Sequence, residues 1–210
     1  MTAPSPQLGR PVGASGEATR ERIIAAAMRC VAEVGYSKAT IREIARTAEM
    51  TSGSLYHYFS NKSDLLDATV TRIQEITLPR LRAAAQSRTD VIDRLDAVLD
   101  ASEELSREYP HLAAFEQEMR AEGSALPRGD ARADAGFEAL HNIFREIIGD
   151  AQREGVLADD ADAAGATDAL YALSRGLTAQ AANLSPSAYR ATTDAARQLI
   201  RGTVLPARGD

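Results

Sequence analysis

Three helix-start signals crowd into residues 40–64, and together they restrict what this part of the chain can become. Thr40-Ile41-Arg42-Glu43 has the capping-box form T-x-x-E, in which the threonine hydroxyl accepts the amide three residues on while the glutamate reaches back. Thr51-Ser52-Gly53-Ser54 offers a second N-terminus, and Ser60-Asn61-Lys62-Ser63-Asp64 a third. Starts this close together force very short helices, which have little stability of their own and need packing partners. The apolar spacing supplies those partners. Ile23, Ile24, Ala27, Val31 and Val34 share one face of a helix running from Glu17 to a stop at Gly35. Ile41, Ile44, Ala45 and Ala48 point inward from the second helix. Leu55, Tyr56, Tyr58 and Phe59 follow the second of these starts, and Leu65, Leu66, Thr69, Val70 and Ile73 form the stripe after the third.

Two short helices joined by a tight turn, the second opening on small and hydroxyl residues, have the layout of a helix-turn-helix. In that arrangement the second helix enters the DNA major groove N-terminus first. Small side chains let its backbone approach the DNA, and free amides at a helix start favour phosphate. The same spacing also fits an ordinary capped helical hairpin. Charge adds a modest argument. Residues 1–62 carry eight Lys and Arg against five Glu, a balance of +3, while the whole chain is at −6, leaving −9 for residues 63–210. A basic end on an acidic body suits a protein that presents one end to a polyanion, although +3 over 62 residues is equally compatible with chance.

The remaining composition mostly excludes. With 210 residues, 44% hydrophobic and 26% charged, the chain fits one domain of moderate size or two small ones with a buried core. Cys30 is the only cysteine, so no intrachain disulfide or all-cysteine zinc site can form, and His57, His111 and His141 have no metal-ligand spacing. No metal or cofactor is expected. No apolar run approaches the ~20 residues of a membrane helix, and residues 1–16 lack a basic stretch followed by an apolar one. The reading is a cytoplasmic protein without membrane contact. There is no nucleophile-base-orienter set and no glycine-rich phosphate loop, so no enzyme activity is expected.

Beyond Ile76 every segment reads as helix. Val91 to Leu105 closes at Tyr109-Pro110, and His111 to Arg120 makes a shorter segment. Residues 122–134, with Gly123, Pro127 and Gly129, read as a loop. Phe137, Leu140, His141, Phe144, Ile147 and Ile148 trace a helical stripe before a turn over 155–162. Ala166 to Asn183 follows, and Ser185-Pro186 opens a last helix through Leu205. Strand signals are absent. The expected fold is all-α: a flexible arm over 1–16, a three-helix helix-turn-helix domain over 17–62, and a helical domain over 63–210.

Thr40-Ile41-Arg42-Glu43-Ile44-Ala45, Ala48 to Phe59, and Asn61-Lys62-Ser63-Asp64-Leu65-Leu66 closely resemble the DNA-binding signature of the TetR family of transcriptional regulators. The T-x-x-x-I-A, L-Y-x-x-F and K-x-x-L-L elements stand in the family's order and spacing over about residues 17–66. One position departs: Glu49 occupies a turn site that is commonly glycine in the family. If that residue takes a positive φ, glutamate costs about 1 kcal/mol or more relative to glycine.

The resemblance implies an effector-responsive regulator, a repressor in the leading form, that binds a palindromic operator as a homodimer and is released by a small molecule. Its DNA contacts would come from Thr40, Arg42, Thr51, Ser52, Gly53, Ser54, Tyr56, His57 and Lys62, with Leu55 and Phe59 locking the recognition helix and Tyr58 divided between core and DNA backbone. His57 could equally be a merely exposed histidine. Arg10 and Arg20 would add phosphate or minor-groove contact, or belong to a disordered tail. The implied effector pocket draws on Phe115, Met119, Phe137, His141, Phe144, Tyr171 and Arg175. A histidine within an apolar stripe also fits a satisfied core position, and Arg175 fits an anionic effector or an acid at the dimer interface equally well. The implied dimer face carries Leu173, Gly176, Leu177, Ala196, Leu199 and Ile200, residues that ordinary core packing within one subunit could also use. The competing reading is a helical ligand-binding or adaptor protein without sequence-specific DNA binding, which leaves the run from Thr40 to Leu66 unexplained.

Overall fold

The structure, a computed structural model, describes residues 12–125, 131–158 and 160–203, with side chains at 16–122, 138–158 and 160–203. Among the described residues there are nine helices and no strand. They run α1 (Val12–Val34), α2 (Ile41–Thr47), α3 (Ser52–Tyr56), α4 (Lys62–Gln86), α5 (Val91–Glu108), α6 (Leu112–Ala125), α7 (Ala131–Arg153), α8 (Ala163–Asn183) and α9 (Pro186–Ile200).

The cap signals act where the local chemistry places them. Thr40, Thr51 and Asn61 each accept the amide three residues on, as does Ser185, while Asp162 accepts the amide two residues on and Asp90 the amides two and three residues on. Three boundaries differ from expectation. Helix α1 begins at Val12, so the arm expected through Gly16 is helical over its last five residues. Glycine weakens a helix by about 1 kcal/mol without blocking it as proline does, and the last proline before this segment is Pro11. Of the loop expected over 122–134, residues 122–125 belong to α6 and 131–134 to α7, while 126–130 lie outside the described residues. The last helix stops at Ile200 instead of Leu205. Gly202 adopts φ +69°, Gly202 N donates to the Leu199 carbonyl and Thr203 N to the Gln198 carbonyl, which together close a Schellman cap. Arg10, Leu205 and the Phe137 side chain lie outside the described residues.

Two large cores share α4, and Tyr109, in the turn before α6, packs against both. The first joins Ile23, Ala27 and Val31 of α1, Ile44 of α2, Leu55 of α3 and Leu65 of α4 with Leu112 and Phe115 of α6. The second gathers Leu81 of the far half of α4, Leu95 and Val98 of α5, and Ile143, Phe144 and Ile147 of α7. Pro79 sits within α4 on its exposed side between these halves. Ion pairs tie the layers together: Arg72 to Glu21 at 3.0 Å joins α4 to α1, and Arg94 to Asp150 at 2.8 Å joins α5 to α7. Three buried threonines satisfy their hydroxyls within their own helices, Thr69 donating to the Leu65 carbonyl, Thr167 to that of Ala163 and Thr193 to that of Tyr189.

Candidate nucleic-acid interface

The turn between α2 and α3 is built by a second Schellman cap. Glu49 N donates to the Arg46 carbonyl and Met50 N to that of Ala45, at 3.1 and 2.9 Å. Glu49 itself takes φ +54°, the one non-glycine residue with positive φ among the described residues. The position that departs from the family pattern is therefore a left-handed one. Met50, which follows the turn, packs on the first core.

Helix α3 spans five residues and depends on tertiary anchoring. Leu55 is fully buried and Phe59 nearly so, both in the first core, which fixes the helix against α1 and α2. The Thr51 hydroxyl accepts the Ser54 amide at 3.1 Å and lies 2.9 Å from the Ser54 hydroxyl, so both side chains are ordered at the helix start. Tyr56 is 53% exposed and Tyr58 37%, while Thr40, Arg42, Thr51, Gly53 and His57 are exposed and Ser52 and Ser54 half-buried. A Cβ on Gly53 would meet nothing nearer than 3.9 Å within the chain, so its absence serves no internal packing. Arg20, placed on α1, holds its guanidinium 5.3 Å from the centre of the Phe59 ring. Arg46, also exposed, pairs with Glu43 on α2 at 2.8 Å.

Lys62, the first residue of α4, donates from Nζ to the Tyr36 carbonyl and lies 3.9 Å from the centre of the Tyr36 ring. Burial lowers its pKa, with Glu122 acting in the opposite direction. Tyr36 in turn donates its amide to Glu118 of α6 at 3.1 Å. Neither Tyr36 nor Glu118 is legible as a site residue in the sequence, because 82 positions separate them. The aromatic residue directly after the helix stop at Gly35 is the only local hint.

These capped short helices, the left-handed turn between them and an outward row of Tyr, His, Thr and Gly above a buried Leu55 and Phe59 are matched by a family profile. The profile described as "Bacterial regulatory proteins, tetR family" matches residues 23–69. Residues 23–69 are therefore a TetR-family DNA-binding domain. The chain is a helix-turn-helix transcriptional regulator. It is 27% identical over 161 residues to the HTH-type transcriptional regulator UidR of Escherichia coli K12, covering 77% of this chain and 80% of that one. Among solved structures it is similar to Salmonella enterica GusR, with a TM-score of 0.68 and 25% identity over 94% of this chain and 98% of the other. It also shares the fold of FadR from Bacillus subtilis in complex with stearoyl-CoA, with a TM-score of 0.68 and 18% identity over 83% and 95% of the two chains. No helix among the described residues is long and apolar enough to cross a membrane.

The expected effector residues fall into separate places. Phe115 is 1% exposed in the first core, where Met119 also packs, and Phe144 belongs to the second core. His141, Tyr171 and Arg175 come together. The His141 and Tyr171 rings meet edge to face with centroids 5.3 Å apart, and the Arg175 guanidinium stands 5.7 Å from the Tyr171 centroid. His141 Nε2 is 2.7 Å from an Asp168 carboxylate oxygen. On α6, Glu116 and Arg120 stand 3.7 Å apart within electrostatic reach of this group. Burial raises the Glu116 pKa against the opposing effect of Arg120. The expected dimer residues also divide. Leu177 and Ala196 are buried against Leu99, Leu173 and Ile200 pack beside them, and Gly176 and Leu199 are exposed, Leu199 at 54%.

Proposed function

We propose that this TetR-family regulator is a repressor that grips a palindromic operator as a homodimer through Thr40, Arg42, Thr51, Ser52, Gly53, Ser54, Tyr56, His57 and Lys62. The observation that carries the reading is the contrast within residues 55–59, at and just beyond the end of α3: Leu55 and Phe59 buried, Tyr56, His57 and Tyr58 exposed between them. A five-residue helix with large aromatic groups held outward gains nothing from them internally, whereas Tyr and His hydroxyl and ring N–H groups suit phosphate and sugar contact. Residues 17–62 act as the DNA-binding unit, and 63–210 as the effector-binding and dimerising unit. The exposed faces of α8 and α9, with Gly176 and Leu199, form the two-fold interface that one recognition helix per half-site requires. The effector acts on the group formed by His141, Tyr171 and Arg175, and FadR of the same fold holds stearoyl-CoA. Operator and effector binding then oppose each other reciprocally. Regulation takes place in the cytoplasm.

The test is a mobility-shift titration with the duplex upstream of the chain's own gene, comparing wild type with Tyr56→Ala, Lys62→Ala and the double variant at two salt concentrations. Selective, salt-sensitive binding that falls in each variant is expected, with the salt slope reduced by about one for Lys62→Ala. Failure to recover any duplex in an unbiased genomic selection would sink the reading.

A further inference from the structure

We infer that Glu118, on α6, is a positioning residue for the DNA-facing lysine: it holds the turn between α1 and α2, and that turn holds Lys62. The inference rests on the reading of Lys62 as a phosphate contact, and it adds to that reading a route from α6 to the contact.

The two ends of one residue are used. Tyr36 presents its amide to Glu118 Oε2 at 3.1 Å and its carbonyl to Lys62 Nζ, while its ring lies 3.9 Å from the same ammonium. A turn amide leaving a helix needs an acceptor, and here the acceptor comes from a helix of the other unit. The approach is close. Gly35 adopts φ +85°, and a Cβ there would stand 3.2 Å from Glu118 Oε2, so the carboxylate is seated directly against the turn. The lysine ammonium has three protons. The Tyr36 carbonyl accepts one, which orients the group and leaves the others to meet phosphate oxygens. A lysine already held in place loses less side-chain freedom on meeting DNA than a free one. Glu122, one turn further along α6, acts on the same ammonium electrostatically. A displacement of α6 relative to α1 would thus be felt at Lys62, the first residue of α4, without travelling along the rest of that helix.

The experiment is a double-mutant cycle read by fluorescence anisotropy on a mixed-sequence duplex at low salt, with the melting temperature of each variant recorded. Glu118→Ala is expected to weaken binding about three- to tenfold. Glu118→Gln should restore most of it, because the amide oxygen still accepts from Tyr36. In a Lys62→Ala background the Glu118→Ala effect should shrink to less than about twofold. Equal losses in the two backgrounds would overturn the inference, since Glu118 would then act only through the general stability of the fold. Hydrogen exchange at the Tyr36 amide, slow in wild type and faster in Glu118→Ala, tests the clamp without DNA. Wild type that bound no duplex while that amide stayed protected would refute the DNA reading, and the inference with it, yet leave the contact itself standing. Equal exchange in wild type and Glu118→Ala would refute the clamp alone.

Discussion

Replacing Glu49 with glycine should stabilise the protein, a result opposite to that of most substitutions in an ordered turn. Glu49 is exposed and sits at φ +54° as the left-handed residue of the cap that ends α2. The left-handed region costs a residue with a Cβ about 1–2 kcal/mol. Glycine escapes that cost but returns about 0.4–1 kcal/mol through its greater freedom in the unfolded chain. The difference is a gain of about 0.5–1 kcal/mol, worth a rise of about 2 °C in melting temperature for a chain of this size. Because the substitution also removes a negative charge beside the recognition helix, it would strengthen DNA binding for an unrelated reason. Glu49→Gln separates the two effects, since it keeps the strain and removes the charge. Glu49→Ala keeps both the strain and a Cβ. Thermal and urea unfolding of the four proteins should place the glycine variant above the wild type, with the glutamine and alanine variants level with it. A glycine variant that melted no higher than the alanine variant would refute the reasoning, because the turn would then impose no left-handed cost.

Three further substitutions test the packing and the assembly. Phe115→Ala, at a 1% exposed site between α6 and the first core, should cost about 3–5 kcal/mol by urea denaturation; a loss under about 1 kcal/mol would mean α6 is not part of that core. Leu199→Glu, on the exposed face of α9, should convert a dimer to monomers in sedimentation equilibrium while leaving the helical circular dichroism unchanged, and an undiminished dimer would move the interface elsewhere. The Arg94 hydrogen bond, with Arg153 assisting, holds the Asp150 carboxyl below the usual carboxylate range. Its contribution is present above the unfolded carboxylate pKa and is lost as pH falls through the lower folded value. Wild type and Asp150→Asn should therefore differ most in melting temperature near neutral pH and converge below about pH 4; a gap that stayed constant with pH would show that the charge plays no part.

What the sequence disclosed was local. The caps at Thr40, Thr51 and Asn61 are readable because donor and acceptor lie three residues apart, and the inward stripe from Ile23 to Val31 because helical period is a short-range property. The left-handed turn at Glu49 was legible only through comparison with a family pattern, since glutamate at that site runs against its own preference. Helix ends that rely on glycine geometry were harder: Gly202 ends α9 five residues before Leu205, while Gly16 does not interrupt α1 at all. The same residue type stops one helix and is tolerated in another, and the outcome depends on whether a following amide finds a carbonyl to close the cap. The contacts of Lys62 were not legible, because its partner Tyr36 is 26 positions away and Tyr36's own partner 82.

The proposed division of the chain at residues 62 and 63 follows the start of α4, but the packing does not stop there. Leu65, Leu66 and Ile73 of α4 lie in the first core, and Leu81 and Ala85 of the same helix in the second. Leu112 and Phe115 of α6 complete the first core, and Tyr109, in the turn before α6, packs against both. A densely packed interior resists continuous deformation, so α6 cannot shift relative to α8 and leave the core beneath α1 untouched. Glu116 and Arg120, on one face of α6, stand near Tyr171 and Arg175, whereas Phe115 and Glu118 meet the DNA-binding unit. Over residues 115–120 of α6, those near Tyr171 and Arg175 alternate with those that meet the helix-turn-helix. A rotation of α6 small enough to keep its own hydrogen bonds would therefore alter both faces together, which is the physical requirement for one ligand to oppose another across this molecule.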